Sequence, residues 1–306
     1  MNSMSTPRVI GPLLTAVVPV TRMANNLHLL NEWVKECAGK PIEIILLHDN
    51  RDLETSLALR NIVENNSESD IVFSEDFFGS PGKARNFGIR LAKGEWIAFW
   101  DSDDRPSIGA VLNLLQDESE IGDLEILIGQ FNVFDIPKNT LFSRKSFDSS
   151  LSDIALNPGV WRMLFRKNSI RDVQFSEFKM AEDQNFLSSL SLPEKKYKIF
   201  NSVLYTYYLG NNGQLTCSKS ALDEILNAAK FTMSKIQDSA GKTQVFNATL
   251  FSRQIITGIT QGSRTAKINC INLLFKALKY NNGRDTVLIL KSFSKIFLQK
   301  KRRQLL

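Results

Sequence analysis

The sequence predicts an α/β fold, with a mostly parallel central sheet and an α-helical C-terminal extension. Three observations carry that prediction. Through residue 115, short runs rich in Val, Ile and Leu alternate with segments whose apolar residues recur every three or four positions, as stacked right-handed βαβ units require. One run, Trp96 to Trp100, stops abruptly at Asp101, Asp103 and Asp104; strand ends of open α/β sheets are where ligands bind. The last third changes character, with long helical periodicities and an excess of Lys and Arg.

Taken in order, residues 13–20 read as a buried strand, ended by Pro19. Residues 27–37 follow as a helix, with Leu29, Leu30, Trp33, Val34 and Cys37 on one side. A second strand (42–47) ends in His48, Asp49 and Asn50, and a second helix covers 53–63. A short strand (70–74), a turn at 79–82 and a helix over 84–93 lead to the strand at 96–100. Pro106 then starts a helix with Ile108, Val111, Leu112 and Leu115 at helical spacing. Beyond it, 124–134 reads as strand, 137–155 as a polar surface loop, 186–192 as helix and 197–208 as strand. From residue 218 onward three apolar stripes at helical spacing occupy the rest of the chain.

The 306 residues suffice for one large or two smaller domains. A hydrophobic content of 43% and a charged content of 23% are those of an ordinary globular protein. No apolar run approaches the roughly 18 to 20 residues that span a bilayer. Three distant cysteines suit a reducing, cytoplasmic setting, and only two histidines are present. A multi-histidine zinc site or histidine-rich triad is therefore not expected. Residues 1–218 carry 22 Lys and Arg against 28 Asp and Glu, whereas residues 219–306 carry 16 against 4. That shift marks an expected boundary between a domain at 1–218 and a basic helical region at 219–306.

Carboxylates as close as Asp101, Asp103 and Asp104 repel one another unless something positive sits among them. A divalent cation holding a diphosphate meets the need, since magnesium-type ions take a few carboxylates plus phosphate oxygens. The plainer alternative has Asp104 capping the following helix and the others solvated.

The order of Val17-Val-Pro-Val20, Glu43-Ile-Ile-Leu-Leu-His-Asp49, Ala84-Arg-Asn86, Gly94-Glu-Trp-Ile-Ala-Phe-Trp-Asp-Ser-Asp-Asp104 and Ala181-Glu-Asp-Gln-Asn-Phe186 resembles a family 2 glycosyltransferase. The match runs over residues 12–210. It implies the nucleotide-sugar-binding fold called GT-A, which is Rossmann-like, and an inverting, metal-dependent transfer from a nucleotide sugar, with a UDP-sugar the expected donor. The acceptor implied is a saccharide or lipid-linked glycan of the cell surface. By the same resemblance Pro19, Thr21 and Asp49 line the base pocket, with His48 where relatives often carry a first acid. Arg85 and Asn86 help hold the nucleotide, and the Gly82 turn offers backbone N–H groups to a phosphate. Asp101 and Asp103 match the DxD pair that holds Mn2+ or Mg2+, with Asp101 near the ribose or the metal. Asp183 matches the base that takes the acceptor proton. Trp161 and Arg162 match a stretch flanking the acceptor site. Where relatives carry an arginine after the last strand this chain has Tyr208, so a diphosphate contact is either missing or moved to Arg166–Lys167 or the tail. A nucleotidyltransferase is the rival enzyme class, disfavoured because Pro19-Val-Thr-Arg-Met-Ala24 holds no glycine. A non-catalytic nucleotide- or glycan-binding relative is the other rival.

For the basic tail three readings stay open. Its helices pack on the catalytic body with a solvated face, or they dock on an anionic membrane surface at the inner face of the cell membrane. Nucleic acid is the weakest of the three, for want of aromatics and of any recognised module.

Overall fold

The structure, a computed structural model, describes residues 11–21, 23, 27–49, 52–143, 150–210, 222–280 and 283–304. Strands β1 (Leu14–Val20), β2 (Ile42–Asp49), β3 (Asp70–Asp76) and β4 (Trp96–Phe99) lie parallel in the order β3-β2-β1-β4. Helices α1 (His28–Glu36), α2 (Leu53–Asn65) and α3 (Pro81–Leu91) connect them. This is the predicted βαβ rhythm, and it brings the ends of β1, β2 and β4 to one edge. The short β5 (Arg105–Pro106), α4 (Ile108–Gln116) and α5 (Glu118–Ile121) follow.

The sheet then continues with mixed directions. Strand β8 (Met163–Arg166) runs antiparallel to β4, and β6 (Ile126–Asp135) antiparallel to β8. Next comes β9 (Tyr197–Leu209), parallel to β6, and β5 closes the far edge against β9. The expected loop at 137–155 is partly ordered structure. Strand β7 (Thr140–Ser143) forms a hairpin with β6, and α6 (Leu151–Leu156) is capped by the Ser150 hydroxyl, which accepts from the Asp153 amide. Residues 144–149 lie outside the described residues. The segment at 79–82 opens α3 directly: Ser80 accepts from the Lys83 amide and Pro81 takes the first helical position, where its missing N–H costs nothing. After the one-turn α7 (Lys167–Ile170), α8 (Glu182–Ser189) starts four residues earlier than its apolar spacing suggested and takes Glu182 and Asp183 into its first turn.

The two faces of the sheet bury separate clusters. Leu14, Ala16, Val18, Trp33, Trp96 and Trp100 lie in one, with Trp33 and Trp100 edge to face at 5.4 Å. Val17, Ile45, Leu47, Phe99, Phe165 and Phe186 lie in the other. Such period-two sorting fixes strand register, because a one-residue slip would exchange the faces.

The tail forms α9 (Ile225–Gln237), α10 (Gly241–Gln261), α11 (Arg264–Tyr280) and α12 (Gly283–Gln304). They share a core of Ile225, Ala229, Phe251, Ile255, Cys270 and Ile289, which Ala181 of the α8 start joins. Helix α10 is buried along most of its length, and its Phe246 and Leu250 pack into the second sheet cluster. The tail therefore packs on the body, as the first of its three readings expects. The composition boundary near residue 218 falls outside the described residues. Among the described residues no helix is long and apolar enough to cross a membrane.

Candidate active site

Parallel pairing gathers the strand ends that the sequence singled out. Pro19 is half-buried within β1 beside Leu47, Thr21 follows that strand, and Asp49 ends β2. The Asp49 carboxylate accepts from the Gly79 amide at 3.2 Å, tying β2 to the turn before α3. His48 is fully buried; its Nδ1 lies 3.2 Å from Glu75 Oε1 and its Nε2 3.9 Å from Asp52 Oδ2. Burial opposes charge on Glu75, but hydrogen bonds from Ser56 and His48 and the charge of Arg60 outweigh it and lower its pKa.

Arg85 joins the two acidic motifs. It is buried on α3, donates Nη2 to Asp101 Oδ1 at 2.8 Å and Nη1 to Glu182 Oε1 at 2.6 Å, and lies over the Phe175 ring. One guanidinium thus couples a carboxylate 16 residues away to one 97 residues away. Burial opposes its charge, yet Asp101 and Glu182 more than compensate and its pKa is raised. Burial also raises the pKa of Glu182, against the pull of Arg85.

Around Arg85 the neighbouring positions have structural work. Asn86 donates to the Phe175 carbonyl and accepts from the Phe175 amide, at 2.9 and 2.8 Å. Its amide clamps the segment before α8. Gly82 is packed closely against the segment before α8. A Cβ there would lie 2.1 Å from the Ser176 carbonyl oxygen, so the glycine permits close packing of that same segment. Lys83 is exposed and pairs with Glu177 at 2.9 Å.

In the strand-end cluster Asp101 and Asp103 are partly exposed, whereas Asp104 is fully buried. Asp104 neither caps α4 nor opens toward a metal. It accepts from Tyr205 Oη at 3.1 Å and from the Tyr208 amide at 2.7 Å. Tyr205 Oη in turn accepts from the Asp101 amide at 3.1 Å. Burial first, then the charges of Asp103 and Asp101, push the Asp104 pKa well upward. Asp104 is therefore an anchor that fixes the turn carrying the other two.

Asp183 sits in the first turn of α8 and accepts from the Gln184 amide at 2.7 Å. Burial and the adjacent Glu182 raise its pKa to about 7, against the opposing charges of Arg85 and Arg253. The residue before the pair, Ala181, holds a left-handed backbone with φ 62°, a conformation that costs a non-glycine residue about 1 kcal/mol or more. The tail helices hold α8 in place. Asn185 Oδ1 accepts from Thr232 of α9 and Gln254 of α10, and Ser188 donates to Asn247 of α10. Arg253, also on α10, donates to the Leu156 carbonyl at 2.6 Å and brings its charge to Asp183.

Trp161 stacks on Tyr205 and Tyr207 at 4.7 and 5.9 Å and meets Phe131 edge-on. Arg162 is buried, bonded to the Gly129 and Asn157 carbonyls. The proposed shift of a diphosphate contact to Arg166–Lys167 does not hold. Antiparallel pairing sets Arg166 opposite Trp96, at the start of β4, where it binds Glu95 and the carbonyls of Leu124 and Gly122. Lys167 donates to the Ala92 carbonyl at the same, opposite edge.

Sequence reading missed Tyr205, Phe175 and Arg253. Arg253 left a signal: it is the only charged residue between Lys242 and Arg264, so its helix buries it or uses it.

A mostly parallel sheet, with one acidic motif at a strand end and a second at the start of α8, defines a GT-A-type fold. A family model for "Glycosyl transferase family 2" matches residues 15–179, and the chain belongs to that family. It is 27% identical over 213 residues to the poly(ribitol-phosphate) beta-glucosyltransferase of Bacillus spizizenii, covering 66% of this chain and 33% of that protein. This chain therefore spans about a third of that relative's length. It is 24% identical over 224 residues to the GalNAc(5)-diNAcBac-PP-undecaprenol beta-1,3-glucosyltransferase of Campylobacter jejuni, covering 69% and 70%. In fold it is similar to S. aureus TarS 1–349 solved with UDP-GlcNAc, at TM-score 0.66 and 16% identity over 95% of this chain and 91% of that one. It also resembles the Pyrobaculum calidifontis mannosyltransferase solved with GDP-Man and Mn2+, at TM-score 0.58 and 13% identity over 96% and 83%.

Proposed function

We propose that the chain is an inverting glycosyltransferase that moves a sugar from a UDP-sugar to a hydroxyl of a cell-surface polymer or lipid-linked glycan. The observation that carries this is the double ion pair of Arg85, which holds Asp101 and Glu182 in one site beside Asp183. Asp183, poised near pH 7, takes the proton of the acceptor hydroxyl as that oxygen attacks the anomeric carbon. Attack from the face opposite the leaving diphosphate inverts the anomer, through a transition state of oxocarbenium character. Pro19, Thr21 and Asp49, at adjacent strand ends, flank the nucleotide base. Trp161 with Tyr207 offers the acceptor an aromatic wall.

The residues fit a hard divalent ion. Asp101 and Asp103 supply carboxylate oxygens at the strand end, the donor type that Mg2+ and Mn2+ take. Among the described residues no three His, Cys, Asp or Glu side chains are grouped to hold an ion by themselves. The donor diphosphate would therefore complete its coordination, and the bound ion would offset charge on the departing nucleoside diphosphate. Asp103 is the proposed direct ligand. Asp101, already shared with Arg85, lies toward the ribose or the metal.

The UDP reading draws on the fold likeness to a protein solved with UDP-GlcNAc. The acceptor class draws on relatives named for poly(ribitol-phosphate) and for an undecaprenol-linked glycan. A nucleotide-release screen across UDP- and GDP-sugars, with Mn2+, Mg2+ or chelator and with those acceptor types, tests it. UDP release that requires both acceptor and divalent ion is expected. Release from no nucleotide sugar, or full turnover by Asp183→Asn, would overturn it.

A further inference from the structure

The tail helices are apolar on two sides. On α11 the inward face buries Ala266, Cys270, Leu273 and Ala277 against the other tail helices. Its outward face exposes Ile268, Ile271 and Phe275, three and four residues apart, with Phe275 66% exposed. Helix α12 repeats the arrangement. Ile289 and Ile296 face in, while Val287 and Leu290 are half exposed beside Lys291. Single exposed apolar residues are ordinary on a protein surface, but a second stripe at helical spacing is not.

The exposed charge carried by these two helices has one sign, although Asp223 accepts from the Ser263 amide at the start of α11 and Asp153 lies 3.9 Å from Lys295 of α12. Helix α11 holds no acidic residue, and α12 holds only Asp285, which is buried and accepts from Gln244 at 2.8 Å. Arg264 and Lys276 on α11 and Lys291 on α12 are exposed, and the sequence of α12 ends in Lys300-Lys-Arg-Arg303.

We propose that the outward faces of α11 and α12 dock on an anionic lipid surface, with Phe275, Ile271 and Ile268 entering the headgroup layer and the flanking cations pairing with lipid phosphates. Charge complementarity selects this occupant. A second copy of the same face would bring like charge against like charge, which opposes self-association. Nucleic acid would use the cations but leave aliphatic Ile268, Ile271, Val287 and Leu290 without bases to stack on. An interfacial helix uses both features at once, since binding strength grows with buried apolar area and with attraction to anionic headgroups. The surface lies outside the catalytic groups, so it would concentrate the enzyme where a lipid-linked acceptor resides without taking part in transfer. That advantage rests on the acceptor class proposed above; the docking itself does not.

The test is flotation of the full chain with phosphatidylcholine vesicles, with and without phosphatidylglycerol, at low and high salt. Binding is expected only with the anionic lipid and should weaken as salt rises. Lys276→Gln and Lys291→Gln should each weaken it about fivefold, and Phe275→Ser should weaken it at both salt concentrations. Thermal melts of these surface variants should match the parent, which separates lost docking from lost fold. Absence of binding at low salt, equal binding to neutral vesicles, or indifference to all three substitutions would overturn the proposal. So would concentration-dependent dimerisation abolished by Phe275→Ser, or salt-sensitive RNA binding without vesicle binding. UDP release with a soluble acceptor should be unchanged in Lys276→Gln. Failure to dock therefore leaves the transferase reading standing, and absence of transfer leaves the docking result standing.

Discussion

The two acidic motifs of the site are built alike and tuned apart. Each has one buried carboxyl that serves as an anchor: Asp104, gripped by Tyr205 and the Tyr208 amide, and Glu182, gripped by Arg85. Each presents another carboxyl at a more open position, Asp103 and Asp183 respectively. The environments differ. The strand-end turn has Arg85 bonded directly to Asp101, and Asp101 and Asp103 are the two partly exposed carboxyls there. Asp183 has only more distant cations against burial and a like-charged neighbour, and its pKa rises to about 7. On the proposed function, environment thus separates charge-holding from proton transfer, although both motifs consist of the same kind of residue.

The sharpest way to break this contrast is Asp183→Asn. Loss of a positioned base typically costs about 10^2- to 10^4-fold in rate, and a fall of that size in kcat should be read from UDP release. The fold should not suffer. A carboxyl near pKa 3.9 in the unfolded chain and near 7 in the fold holds its proton in the native state across that window. Its contribution to stability therefore falls as pH rises from about 4 to 7. Asp183→Asn removes that loss, so urea titrations above pH 7 should show the variant at least as stable as the parent.

Arg85→Met comes next, because it cuts the link between the motifs. Removing one partner of a buried ion pair leaves uncompensated charge and costs about 3 to 5 kcal/mol, measurable as a lower urea midpoint. Arg85→Lys should recover only part of this, since an ammonium cannot span two carboxylates as a planar fork does. Activity in both should fall further than stability alone explains.

Arg253→Gln sharpens the comparison by moving one motif only. With the opposing charge of Arg253 removed, Asp183 keeps its proton to higher pH. The acid limb of the kcat/KM profile, expected near pH 7 in the parent, should move upward, while the divalent-ion dependence stays unchanged. An unmoved limb would show that α10 serves packing alone.

The smallest effect is expected from Tyr205→Phe, which removes the hydrogen bond to Asp104 and the one accepted from the Asp101 amide, and leaves the ring stack on Trp161. A buried acceptor left short of one partner costs about 1 to 3 kcal/mol. The variant should lose stability of that order and bind the donor more weakly, as judged by isothermal titration with UDP and Mn2+.

Local pattern determined a good part of this protein. The alternation of apolar runs and helical stripes gave the four parallel strands and their helices, because period is a property of neighbouring residues. The strand-end acids and the Glu182–Asp183 pair were legible as motifs, as were the amphipathic helices of the tail. Tertiary structure decided what those residues do. Whether Asp104 faces solvent or a tyrosine depends on β9, about a hundred residues away. That Gly82 and Asn86 also meet the 175–176 segment before α8 could not be read from spacing, because that segment folds back from about ninety residues away. Arg166–Lys167 was one of the places open for a displaced diphosphate contact, but β8 runs antiparallel to β4 and carries Arg166 to the opposite edge. Arg253 belonged to an undifferentiated basic tail until α10 packed against α8. The pKa of a carboxyl depends on burial and on charges brought near it from elsewhere in the chain, so composition and spacing locate a titrating group and only packing sets its working state.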